Sequence, residues 1–252
     1  MRTLVVIPAR LAAVRLPRKP LRLLAGVPLI VRVWQRISEM KIGDAVVVAT
    51  DEESVAATVQ EAGAEVVMTG SDHISGTDRV AEVARLSRFA DFTTVVNVQG
   101  DEPFIGRSAV AGAAEMVSSG KFPVGTAASP ASWDIATNPN IVKVVLGHDS
   151  RALYFSRAGI PFVRDREAIG SKEMSMLQHL GVYAYSRDAL EQWISLPAHP
   201  LENTERLEQL RPLAAGIPIG VAVAQDAPAA GIDTEDDLSR ANARWQEFIA
   251  GR

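Results

Sequence analysis

Thr3-Leu4-Val5-Val6-Ile7-Pro8-Ala9-Arg10-Leu11-Ala12-Ala13-Val14-Arg15-Leu16-Pro17-Arg18-Lys19-Pro20-Leu21 is the stretch on which the reading of this chain turns. Thr3–Ile7 is an apolar, β-branched run that predicts a first buried strand. Directly after it come Arg10, Arg15 and Lys19, in a loop stiffened by Pro8, Pro17 and Pro20. Open α/β sheets take their ligands outside the carboxyl ends of their strands. Three cations at spacings of five and four residues suit a polyanion such as a nucleoside triphosphate. Hydrogen bonds to charged groups contribute roughly 1.5–3 kcal/mol each, enough to set affinity and orientation together. The charges alone leave a solvated basic loop equally open. No Gly-Lys-Ser/Thr follows the strand, so the loop is not a Walker A motif.

Outward from this loop, strand and helix signals alternate. Ala45–Ala49, Glu65–Met68 and Thr93–Val98 read as strands, and Leu29–Met40, Glu53–Ala62 and Thr77–Ser87 as helices. Such alternation implies right-handed crossovers and a mostly parallel sheet with helices on both faces, a Rossmann-like α/β arrangement. Thr50 before Glu53, Ser75 before Asp78 and Thr234 before Asp237 have the spacing of capping boxes. Further on, Ile141–Leu146, Ala152–Phe155, Gly181–Tyr185 and Ile219–Ala224 read as strands. Glu202–Ala214 and Glu235–Phe248 read as helices. No repeat or linker divides the chain, so one domain over 1–252 is expected. In it, 1–130 forms the first half, 131–230 the second half, and 231–252 a helix returning to the core.

Composition narrows the function. The chain has 252 residues, 47% of them hydrophobic, and a net charge of −4. A local basic loop in an acidic protein points to a small anionic ligand rather than to nucleic acid. Cysteine is absent, which excludes thiolate zinc sites and cysteine nucleophiles. No apolar run approaches the roughly 18 residues of a membrane span, and no signal-peptide pattern is present. A cytoplasmic enzyme or binding protein with no membrane partner is the expectation.

Two acidic segments carry the candidate chemistry. Asn97-Val98-Gln99-Gly100-Asp101-Glu102-Pro103 closes the fourth strand, with Asn97, Gln99 and Asp101 on one face. Asp101 stands where a phosphate-bridging Mg²⁺ would be held, since that ion takes one or two carboxylates plus substrate oxygens. A turn cap after Gly100 is the alternative. In Gly231-Ile232-Asp233-Thr234-Glu235-Asp236-Asp237, capping explains Thr234 and Asp237, and the helix dipole accommodates Glu235 and Asp236. Asp233 has no such duty, which makes it the best second metal ligand. Between these segments, His73-Ile74-Ser75-Gly76-Thr77-Asp78-Arg79 opens a helix whose first amides face outward, a ready anion site.

The first loop, the Gln99–Pro103 segment and Gln178-His179-Leu180-Gly181-Val182-Tyr183 together resemble the sugar-acid cytidylyltransferases. The matching segments run in one order from Ile7 to Leu238. The resemblance implies a fold of the nucleotide-diphospho-sugar transferase type, with 1–130 mainly a nucleotide-binding half and 131–230 mainly a sugar-acid and dimerisation half. It also implies CTP and a 3-deoxy-2-ulosonic acid, 3-deoxy-D-manno-octulosonate (Kdo), as substrates, with Mg²⁺ as cofactor, a homodimer, and a role in lipopolysaccharide biosynthesis. Pro8, Ala9, Arg10, Lys19, His73, Ser75, Thr77 and Gln99 would then line the nucleotide. Gln99, Arg157, His179, Tyr183, Glu208 and Gln209 would meet the sugar acid, Arg157 through its carboxylate. Arg10, Arg15, Lys19, Asp101 and Asp233 would carry the chemistry, with Asp101 and Asp233 on the metal. Ala13-Val14 departs from the family, which usually carries a small hydroxyl residue before the second arginine. The 8-amino analogue of Kdo and sialic acid are the alternative acceptors. A metal-dependent glycosyltransferase would want an Asp-x-Asp pair where this chain has Asp101-Glu102-Pro103. A non-catalytic nucleotide sensor would not need a second carboxylate or a sugar-acid pocket.

Overall fold

Residues 1–11, 15–164, 176–225 and 231–250 are described by the computed structural model. Ala13-Val14, where the sequence departs from the family, lies outside them. The apolar opening run forms β1 (Thr3–Ala9), whose Leu4, Val5, Val6 and Ile7 are fully buried. A strand apolar on both faces is the mark of a parallel sheet covered on both sides. β2 (Leu23–Leu24) and β3 (Val27–Pro28) make a small hairpin, turned by Ala25 and Gly26 at positive φ. Then follow α1 (Leu29–Met40), β4 (Ala45–Thr50), α2 (Glu53–Glu61), β5 (Glu65–Met68), α3 (Gly76–Arg85) and β6 (Thr94–Val98). These strands lie in the order β6-β1-β4-β5, all parallel.

The chain divides into two compact units. The first is Met1–Ile105 together with Ala229–Arg252, and the second is Gly106–Pro228. The change of unit thus falls at Ile105, where the sequence reading puts the change of half near residue 130.

The second unit contains α4 (Arg107–Ser118), β7 (Val124–Ala131), β8 (Lys143–Leu146), β9 (Ala152–Ser156), β10 (Met176–Ser186), α5 (Arg187–Ser195), α6 (Pro200–Glu205), α7 (Leu210–Ala214) and β11 (Ile219–Val223). β7 runs parallel to β11 and antiparallel to β10, and β8 joins β10 to β9 by antiparallel pairing. α4 lies so close on this sheet that a Cβ at Gly125 would stand 2.2 Å from the Ala113 carbonyl oxygen. The last helix, α8 (Glu235–Ala250), belongs to the first unit and buries Leu238, Ala241 and Trp245.

Two of the three predicted capping boxes form. Ser75 Oγ accepts the Asp78 amide at 3.2 Å while Asp78 Oδ2 accepts the Ser75 amide at 2.8 Å. Asp237 Oδ2 gathers the amides of Asp233 and Thr234 and the Thr234 hydroxyl. Thr50 does not cap α2. β4 runs through Thr50, so the helix starts from Glu52, and Thr50 Oγ1 only accepts the Glu52 amide at 3.2 Å. The predicted helix Glu202–Ala214 is two helices. Arg206 takes a left-handed conformation (φ 53°) that ends α6, so Glu208 and Gln209 sit in the turn before α7, not on a continuous helical face. α4, β7 and α5 are elements the sequence reading did not name.

Candidate functional site

In the first unit, the carboxyl ends of β1 and β6 converge. A Cβ at Gly100 would stand 2.9 Å from the Pro8 carbonyl oxygen, so only glycine lets the two strand ends approach this closely. Pro8 and Gln99 also flank Gly76 at the start of α3. Arg10 spans the same place. Its Nη1 donates to the Ile74 carbonyl at 3.2 Å and its Nη2 to the Ser75 carbonyl at 2.5 Å. Arg10, Pro8, Gln99 and the opening of α3 therefore meet at one end of the parallel sheet, as the sequence places them.

Residues 15–21 fold back over this end. Fully buried Leu16 anchors them, and Pro20 starts a 3-10 turn, Lys19–Leu21, that points Lys19 inward. Lys19 Nζ donates to Asp101 Oδ2 at 2.5 Å and to Asp233 Oδ1 at 2.9 Å. Arg15 Nη2 lies 3.0 Å from Asp233 Oδ2. Two aspartates 132 positions apart (101 to 233) thus share one ammonium. Burial alone would lower the Lys19 pKa, but attraction to Asp101 and Asp233 and hydrogen bonds to both raise it. The Ile232 amide donates to the Asp101 carbonyl at 3.0 Å, tying the two acidic segments by backbone as well.

Glu102 is the third carboxyl here and one the sequence reading did not assign. Desolvation, and then the negative charges of Asp101 and Asp233, push its pKa up to about 8. Among the described residues no group of three or more acidic, His or Cys side chains is arranged to hold an ion by itself. Two carboxylates converging on one cation do match the donor set of Mg²⁺, which completes its shell with waters and phosphate oxygens.

His73, Ser75 and Thr77 all lie at the start of α3, but their side chains are engaged locally. His73 Nε2 pairs with Glu82 Oε2, which also accepts the Gly70 amide. Desolvation would raise the Glu82 pKa, but the bonds from His73 and Gly70 lower it. The Ser75 hydroxyl serves the cap, donating to Asp78 Oδ2 at 2.9 Å, and Thr77 is buried. Arg79 is fully buried, with Nη2 3.0 Å from Asp51 Oδ1 and Nη1 bonded to Thr69 Oγ1. It is a structural ion pair that pins α3 to the ends of β4 and β5.

The remaining candidates lie in the second unit. The His179 ring stands 5.4 Å from Tyr183, whose ring meets Trp193 edge-on at 5.5 Å. Trp193 Nε1 donates to Glu208 Oε1 at 3.1 Å. His179, Tyr183 and Glu208 are therefore linked through Trp193, which nothing in the sequence singles out. Desolvation pushes the His179 pKa down to about 3, so the ring is neutral at physiological pH. The Thr126 hydroxyl lies 2.7 Å from the Val182 carbonyl oxygen and 3.0 Å from His179 Nε2. With the Thr126 hydrogen on Val182, Nε2 carries the ring proton and Nδ1 is left as the acceptor; with that hydrogen on Nε2, the ring proton sits on Nδ1. Gln209 is buried at the start of α7. Arg157 donates from Nε to the Glu205 carbonyl (2.6 Å), from Nη1 to the Pro139 carbonyl (2.8 Å) and from Nη2 to the Arg206 carbonyl (3.3 Å). A guanidinium has five N–H donors, so two of its N–H groups lie beyond these three bonds.

A family model described as Cytidylyltransferase matches residues 4–219. A 3-deoxy-manno-octulosonate cytidylyltransferase of Gemmatimonas aurantiaca is 58% identical over 250 residues, which is 99% of this chain and 96% of the relative. A solved structure of CMP:2-keto-3-deoxy-manno-octonic acid synthetase complexed with CTP is 38% identical. It superposes with a TM-score of 0.90 over 98% of this chain and 99% of that one. A cytidylyltransferase of Leptospira borgpetersenii shares the fold at 15% identity, with a TM-score of 0.63 over 98% of this chain and 88% of its own.

Proposed function

The chain belongs to the cytidylyltransferase family, and from that premise we propose that it transfers CMP from CTP to the anomeric 2-hydroxyl of Kdo, giving CMP-Kdo and pyrophosphate. The observation that carries this reading is the meeting of Asp101 and Asp233 at the Lys19 ammonium, at the carboxyl end of a parallel sheet. The 58% identical relative supplies the acceptor.

In this reading Arg10, Arg15 and Lys19 bind the triphosphate and offset charge on the departing pyrophosphate. Pro8, Ala9 and the amides that open α3 line the nucleotide, together with Gln99. His73 and Ser75 shape that wall through Glu82 and Asp78 rather than through free side chains. Asp101 and Asp233 would hold Mg²⁺. Bound there, Mg²⁺ would neutralise phosphate charge and favour ionisation of the attacking hydroxyl. Transfer at phosphorus is mostly positioning and charge stabilisation. The 2-hydroxyl gives up its proton to solvent water and its oxygen attacks the α-phosphorus as the bond to the β-phosphate oxygen breaks, with the two oxygens in line and pyrophosphate leaving. Arg157, His179, Tyr183, Glu208 and Gln209 form the acceptor side. There the His179 imidazole, held at Nε2 by Thr126, meets a sugar hydroxyl through Nδ1. The whole chain acts as one cytidylyltransferase domain, as a cytoplasmic homodimer.

Pyrophosphate release from CTP and Mg²⁺ with Kdo, 8-amino-Kdo and sialic acid in parallel tests the reading. Release with Kdo alone is the expected result. Release with another acid would keep the chemistry and reassign the acceptor. Folded protein that binds CTP and releases nothing with any acid would refute the transfer.

A further inference from the structure

Lys143 is fully buried, a rare state for a lysine unless it is fully paired. Its Nζ donates to three backbone carbonyls: Asn138 at 3.0 Å, Ile141 at 2.6 Å and Arg157 at 2.5 Å. An ammonium has three N–H donors, so all three are spent on main chain. Desolvation lowers its pKa against the pull of Glu205, and nearby Arg157 lowers it further. Lys143 is opposite Ser156 in β9 and opposite Gln178 in β10, so it lies between the Ser156-Arg157 and Gln178-His179 segments.

The same knot continues through Glu205. Its Oε1 accepts the Ser156 hydroxyl at 2.7 Å and its Oε2 the Arg157 amide at 2.9 Å. Its carbonyl and that of Arg206 accept the Arg157 guanidinium. Arg157 thus hangs between a buried ammonium, which fixes its carbonyl, and the end of α6, which fixes its amide and side chain. Arg206 is the residue whose left-handed turn sends the chain into Glu208 and Gln209.

We propose that Lys143 is a positioning residue for acceptor binding: its ammonium draws the carbonyls of Asn138, Ile141 and Arg157 to one point. Through Arg157 and Glu205 it holds the turn that presents Glu208 and Gln209. A charged donor fits this task because three carbonyl oxygens converging without one would repel each other. Among the described residues no carboxylate contacts the buried charge directly, so its cost is met by the three carbonyls and by the Glu205 carboxylate nearby. The assignment rests on the reading of Arg157, Glu208 and Gln209 as acceptor-side residues.

The test compares wild type, Lys143→Met and Glu205→Gln in pyrophosphate release with CTP and Kdo, and in hydrogen exchange over residues 138–141, 156–158 and 205–210. Methionine keeps the stem and removes the donors, and Glu205→Gln is the milder change should Lys143→Met not fold. The expected result is an acceptor KM raised about tenfold or more in Lys143→Met and less in Glu205→Gln, with the KM for CTP within about twofold of wild type. Faster exchange over those residues should accompany it. An unchanged acceptor KM in folded variants, or equal losses for CTP and acceptor, would overturn the proposal. If wild type releases no pyrophosphate, the proposed function fails instead. Exchange then decides whether Lys143 holds this backbone, and wild-type-like exchange in both variants overturns that as well.

Discussion

Lys19→Met removes a cation that, among the described residues, alone touches both Asp101 and Asp233, while keeping the length of the stem. The ammonium contacts are 2.5 and 2.9 Å, so the two carboxylate oxygens lie within about 5.4 Å of each other, the sum of those contacts. Two unit charges at that distance repel by about 3 kcal/mol at an effective dielectric constant of 20, and by about 0.8 kcal/mol at 80. The Asp101 side chain is 24% exposed and that of Asp233 45%, so solvent screens the pair and the lower part of that range applies. A loss of about 1–2 kcal/mol is therefore expected in chelator-treated protein, read from urea unfolding at low ionic strength. At about 1 M salt the Debye length is about 3 Å, so most of the loss should disappear. Millimolar Mg²⁺ should restore stability in the variant more than it stabilises wild type, because the ion then has no ammonium to displace. The wild-type contribution has a defined pH window. The folded-state pKa of Lys19 lies above its ordinary 10.5, so the stabilisation is complete below that value and fades as pH rises through the raised one. Superimposable unfolding curves for variant and wild type at low salt would refute the reasoning, as would a loss that neither salt nor Mg²⁺ alters.

Asp233→Asn should lower kcat for pyrophosphate release by about 100-fold or more with little change in the urea midpoint; normal turnover at saturating CTP and Mg²⁺ would end the metal assignment. Arg79→Met leaves Asp51 without its buried partner and should cost about 3 kcal/mol or more. Adding Asp51→Asn should recover part of it, and a single-variant loss below about 1 kcal/mol would count against a buried ion pair. The His179 pKa falls from 6.5 to about 3 on folding, so below about pH 6.5 the unfolded chain takes up a proton the native ring refuses. Native stability should therefore decline as pH drops from about 6.5 towards 3, and His179→Gln should flatten that decline in urea midpoints taken across the range. An identical slope in the variant would show that His179 is not the group responsible.

Much of the first unit is legible in the sequence because its strands are β-branched and apolar on both faces. Leu4 to Ile7 and Val95-Val96 are buried runs that no helix pattern competes for. β7 is not legible because Val124-Gly-Thr-Ala-Ala-Ser-Pro-Ala is built mostly of small residues with weak strand preference, of which Gly125 lets α4 approach closely. The break at Arg206 was invisible for a different reason. Arginine is a good helix former, and only the bonds from Arg157 to the Glu205 and Arg206 carbonyls show why the chain turns there. At the carboxyl ends of β1 and β6, Asp233 is legible because capping leaves it without a duty. The shared ammonium is not, since it depends on residues 19, 101 and 233 meeting in space. Lys143, Trp193 and Glu205 carry no sequence signal, because their partners are backbone carbonyls or side chains distant in the chain.

The first unit is discontinuous, and this sets an order of assembly during synthesis. Gly106–Pro228 is contiguous and can close once β11 has left the ribosome. Met1–Ile105 has its strands by then but lacks Asp233 and α8, which come from the far end of the chain. Until those residues emerge, Lys19 has Asp101 but not its second aspartate, and the apolar places that Leu238, Ala241 and Trp245 fill are uncovered. The part made first is completed last, so a ribosome that stalls late releases a chain whose second unit is whole and whose acidic pair does not exist.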